Sequence, residues 1–178
     1  GSSLSCPYRQ IRIKSACWES FVSSGTLEAN IEAFERLLTH NRKANIIWAH
    51  VGWDLTGQRT AALARQLLNK HPNLYCALKI ADPTDEKTQI VKNGLVDPKW
   101  QNLIVEFSDR FVIGVDGFFL ATPRRGRPTM KTDLDGERAI INSLPPAVAR
   151  KVAFENAQRL FKIRLIDTND YPLPTDSG

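Results

Sequence analysis

Three short apolar runs limit what this chain can fold into. NIIWA (45–49), LYCALKI (74–80) and RFVIGV (110–115) are short for helices and apolar at successive rather than alternate positions. A strand with one wet face alternates, whereas a strand apolar on both faces belongs inside a parallel sheet covered on both sides. A weaker run, IRIKSACW (11–18), alternates and supplies a fourth strand. The segments between them carry helical periodicity. LEANIEAFERLLTH (27–40) sets Leu27, Ile31, Phe34, Leu37 and Leu38 on one face, with Thr26 as N-cap. Gly57 to Lys70 reads as a second helix with Ala64, Leu67 and Leu68 inward, ended by the His-Pro-Asn at 71–73. Residues 97–107 read as a third helix, opened by Pro98, with Trp100, Leu103, Ile104 and Phe107 as its apolar face. Leu134–Leu144 reads as a fourth, and Pro145 and Pro146 open a last one running to about Phe161. Strand and helix alternate through about four β-α units, which predicts an α/β fold built on a parallel sheet.

Composition adds bounds rather than identity. The 178 residues suffice for one domain with a real core, and 42% hydrophobic with 24% charged residues is an ordinary globular balance. The reading is one unit over 1–178, with residues 1–26 left unassigned and a polar tail from 167 to 178. The net charge of +5 suits an anionic partner without specifying one. Cys6, Cys17 and Cys76 are odd in number and form no C-x-x-C pair, so a disulfide framework is not expected and a cytoplasmic location is. No signal peptide and no membrane-spanning run is visible. The chain opens on Gly-Ser-Ser and its one methionine is Met130, as expected of a chain cut from a longer one or carrying a foreign lead.

In parallel α/β folds functional side chains gather where strands give way to the following loops. Two strands end in residues suited to such chemistry: NIIWA runs into His50, and FVIGV runs into Asp116. An imidazole and a carboxylate on one rim can hold a zinc-like ion or relay a proton. Gly52 and Gly117 let the loops turn sharply there. Each residue also has a plainer reading: His50 as a hydrogen-bonded loop residue, Asp116 as a turn or cap residue before glycine. His40 and His71 stand at helix ends, where capping or solvent contact is expected. The basic run RRGRP (124–128) suits a phosphate or carboxylate, or is simply a solvated loop. It has no interleaved aromatics, so nucleic-acid binding is not expected. Dinucleotide-binding, P-loop, zincin and nucleophile-elbow motifs are absent.

From about Leu27 to Ile166 the chain resembles the C-terminal half of the amidohydrolase superfamily, in particular its amidohydrolase-related (amidohydrolase 2) branch. The residues that carry the resemblance are IIWAHVG (46–52), HPNLYCAL (71–78), DRFVIGVDGF (109–118) and LPPAVARKVAFENAQRLFKI (144–163). The resemblance implies half of a (β/α)8 TIM barrel holding one or two divalent metals, often zinc, at its carboxyl face. It implies hydrolysis of C–N, C–O or related bonds in a small-molecule substrate, or in some relatives decarboxylation. His50 then binds metal or orients substrate, and Asp116 binds metal and acts as general base on water. Trp53, Phe118 and Arg124 become candidate substrate contacts, with Phe119 beside them. The family's first-strand H-x-H pair is not present, and an alignment through Glu19 puts Cys17 where the family carries a fifth-strand histidine. A complete barrel needs roughly 200–250 residues.

Three readings follow. The chain is the C-terminal part of a metal-dependent hydrolase or decarboxylase. Or it is a non-catalytic fragment whose raw sheet edges and uncovered core face demand a homo-oligomer or the missing N-terminal half. Or it is a small anion-binding α/β module.

Overall fold

The computed structural model describes residues 11–13, 27–51, 58–79, 90–92, 95–114 and 130–163. The fold is mixed α/β around a small parallel sheet. Its elements are β1 (Ile11–Ile13), α1 (Leu27–His40), β2 (Ile46–Val51), α2 (Ala61–Lys70), β3 (Leu74–Leu78), β4 (Val91–Lys92), β5 (Leu95–Val96), α3 (Pro98–Glu106), β6 (Phe111–Ile113) and α4 (Met130–Ser143). A last helix follows in three parts: α5 (Pro146–Arg150), a π-helical turn (Lys151–Glu155) and α6 (Asn156–Phe161).

The main sheet has the order β1-β2-β3-β6, every pair parallel. Its four strands lie side by side in the order in which they occur in the chain, with β4 and β5 set apart between β3 and β6, and among the described residues there is no reversal of the kind that defines a doubly wound sheet. Side-chain alternation along the strands separates two cores. Ile46, Trp48, Leu74, Cys76, Leu78 and Phe111 join the larger one, with Leu38 of α1, Leu67 of α2, Leu103 of α3 and Ile140 of α4. Phe34 of α1 lays its ring 5.5 Å from that of Trp48, tilted rather than stacked, a favourable aromatic geometry. Ile47, Ala77 and Val112 lie in the second core, against Leu160 and Ala157 of α6. The second sheet face is therefore covered in part by the chain's own last helix rather than left bare.

Several boundaries differ from the sequence reading. α2 starts at Ala61 rather than Gly57, because the Thr60 hydroxyl accepts from the Leu63 amide at 3.2 Å and caps it there. α4 starts at Met130 rather than Leu134. The hairpin β4–β5 was not anticipated. It pairs Val91 with Val96 and Lys92 with Leu95, and the two intervening residues are Asn93-Gly94, the strongest short hairpin signal a sequence carries. α3 follows expectation: Asp97 accepts from the Lys99 amide at 2.8 Å and Pro98 takes the first helical position. Among the described residues no helix is long and apolar enough to cross a membrane.

Candidate functional site

β2 does not stop before His50; it carries His50 inside a bulge. Ala49 pairs with Ala77 and Val51 with Leu78, so His50 is one residue too many for the ladder. Plain alternation from Ile46 and Trp48 would send residue 50 onto the helix-covered face. The extra residue hands that place to Val51, which is fully buried in the larger core, and leaves His50 half-buried at the carboxyl end of the strand. His50 adopts a left-handed backbone, φ 60°. Few residues other than glycine do so, and such a conformation costs about 1–3 kcal/mol unless the surroundings impose it. Bulges and strained backbones concentrate where a fold re-aims a side chain for use.

β6 runs parallel to β2 in the same sheet and ends at the same rim. Its end is held tightly to β3: the Gly114 amide donates to Leu78 O at 2.8 Å. A Cβ on residue 114 would lie 3.0 Å from the Ala77 Cβ and 3.3 Å from Leu78 O. A side chain there would be tighter than ordinary packing and would need the Ala77 Cβ to give way. Asp116 follows two residues later and lies outside the described residues, as do Cys17, Trp53, Phe118, Phe119 and Arg124. Among the described residues no three His, Cys, Asp or Glu side chains stand together as a metal-binding group. An imidazole is by its chemistry a suitable zinc donor. A catalytic zinc site takes three protein ligands, so the rest of any such set, Asp116 first, comes from outside the described residues.

The other residues singled out in the sequence build the fold. His71 is not solvent-exposed: its side chain is 1% accessible, and Nε2 meets the Glu35 carboxylate of α1 at 2.9 Å. Its backbone amide does cap α2, donating to Leu67 O at 2.9 Å. Glu35 also accepts from Lys70 at 2.7 Å, and the Lys70 and then the His71 hydrogen bonds hold its carboxyl below the ordinary carboxylate range. Asn73 donates from Nδ2 to Leu38 O at 3.0 Å and Ala44 O at 3.2 Å, fixing the end of α1 and the approach to β2. Arg110 donates to Leu74 O at 2.9 Å and stacks over Tyr75. Burial pushes the Cys76 thiol far above its usual range, which leaves it inert as ligand or nucleophile.

No protein-family model matches the chain. No curated protein matches it either. Among solved structures the chain is similar to the dihydroorotase of Campylobacter jejuni, at 11% identity and a TM-score of 0.48. The match covers 76% of this chain and 43% of that one, so this chain spans less than half of that enzyme's length.

Proposed function

We propose that the chain carries the carboxyl-end rim of a metal-dependent hydrolase site of amidohydrolase type, on four sequential strands that form an arc of a barrel. The observation that carries this reading is His50: a histidine in a left-handed bulge at the carboxyl end of a central parallel strand. A fold that needed only a filled core would place an ordinary residue in an unbroken ladder there. The sequential strand order supports the barrel reading, because barrels wind in one direction whereas open doubly wound sheets reverse.

In this reading His50 and Asp116 hold a divalent metal, zinc being the natural choice for a nitrogen and an oxygen donor, with further donors from outside the described residues. A bound ion of this kind supplies a water-derived nucleophile at neutral pH. In such a site Asp116 would take a proton from the attacking water, and His50 would either hold the ion or orient the substrate. Gly114 keeps the end of β6 close to β3, and in this reading Asp116, two residues further along the sequence, shares the rim with His50. Trp53, Phe118 and Arg124 follow the two strand ends and are proposed to contact a small amide, ester or carboxylate substrate.

Asp116→Asn tests the assignment. It should abolish hydrolysis across a panel of such substrates while leaving the thermal transition within about 0.5 kcal/mol of wild type, as expected for a rim residue. Retained hydrolysis in a folded variant removes Asp116 from the mechanism.

A further inference from the structure

The last helix does something that a covering helix need not do. Among the described residues β6 is the outer strand of the sheet. Arg110 O and the Gly114 amide bond to β3, so the Phe111 backbone faces the open edge. That edge is not left open along its length. Asn156, 1% accessible, donates from Nδ2 to Phe111 O at 2.8 Å and to Ser108 O at 2.7 Å. Its two amide bonds thus go to the first residue of β6 and to the turn just before it. Its Oδ1 accepts from Arg159 at 3.2 Å, and Arg159 also donates to Asp109 O at 2.6 Å. Lys151 and Arg159 flank the Asp109 carboxylate at 3.0 and 3.5 Å.

The helix reaches both cores across this edge. Val152 packs in the larger core and Leu160 in the second. A row spaced by four residues drifts by about 40° per step on an ordinary α-helix. The π-helical turn, in which the Asn156 amide bonds back to Lys151 O, takes up the surplus residue in the step from Val152 to Asn156. It holds Val152, Asn156 and Leu160 against one strand.

We infer that the last helix is an edge lock: through Asn156 and Leu160 it closes the start of β6 against strand pairing, so that copies of this chain do not associate through that edge. Closing the sheet into a complete barrel at β6 then requires Asn156 to release Phe111. The edge lock depends only on the β6 contacts and stands apart from the metal reading.

The test begins with the wild-type chain. Hydrogen exchange of the Asn156 side-chain amide should be slower than in free asparagine by about a hundredfold or more. Exchange at the free rate overturns the lock. Light scattering after gel filtration, from micromolar to near-millimolar chain, should show no association through β6, and a dimer cross-linked at 111–113 overturns the inference. Asn156→Asp keeps the shape and turns two donors into acceptors facing two carbonyls. A folded Asn156→Asp chain should self-associate at least about tenfold more tightly than wild type. A folded Asp variant that associates no more than wild type also overturns it, and an unfolded one leaves the decision to the wild-type exchange rate.

Discussion

The conformation of residue 50 can be read by comparing two truncations. His50→Ala and His50→Gly both remove the imidazole and every contact it makes, so their difference isolates the backbone. In an extended strand glycine is worse than alanine by about 0.5–1 kcal/mol, because it loses more freedom on folding. In the left-handed region the Cβ of alanine meets the following carbonyl at a cost of about 1–2 kcal/mol, which glycine avoids. With φ at 60° the second term wins, and His50→Gly should be the more stable variant by about 0.5–1 kcal/mol. In urea, with a slope near 2 kcal/mol per molar, that is a midpoint shift of about 0.25–0.5 M in favour of glycine. Equal slopes for the two variants keep the comparison on the folded state. If alanine is the more stable of the two, residue 50 lies in a regular ladder and the bulge argument fails with it.

Four further outcomes follow from particular contacts. Gly114→Ala forces its new Cβ against Ala77 and should cost about 1–3 kcal/mol in denaturant unfolding; Ala77→Gly should return part of that in a double-mutant cycle, and simple additivity would refute the clash. Asn73→Leu removes the donor that serves Leu38 O and Ala44 O and should cost about 1–3 kcal/mol, measured the same way. The lowered folded pKa of Glu35 means its ion pair stabilises the protein above the carboxyl's unfolded pKa and that this contribution is lost as pH falls through the folded value. Stability measured from neutral to acid pH should therefore fall less steeply in Glu35→Gln than in wild type. Phe111→Ala, at a fully buried position, should cost about 3–5 kcal/mol by thermal or chemical unfolding.

Much of the scaffold is legible in the residues because its signals are local. The apolar spacing of LEANIEAFERLLTH yields α1 with its C-terminal end at His40 in place, and Asp97-Pro98 marks the start of α3. The doubly apolar strands announce a parallel sheet covered on both sides, and Ile47, Ala77 and Val112 do meet a second core. What escapes the sequence depends on register. The bulge at His50 is set by how Ala49 and Val51 of β2 pair with Ala77 and Leu78 of β3, a long-range register that no local signal carries. The π-helical turn answers to the fit of Val152 and Asn156 against β6, which no helical periodicity displays. The β4–β5 hairpin is the opposite case, since Asn93-Gly94 signals it plainly. The site is the least legible part: His50 stands where a rim residue should, but His71, Asn73, Arg110, Asn156 and Arg159, prominent in the same motifs, hold the fold together.

The most direct measurement is metal content by elemental analysis after dialysis against zinc, for the wild-type chain, His50→Ala and Asp116→Ala. The account predicts bound zinc in the wild type that falls sharply in both variants while their circular dichroism stays folded. Zinc retained equally by all three folded chains, or absent from the wild type, contradicts a metal held by His50 and Asp116.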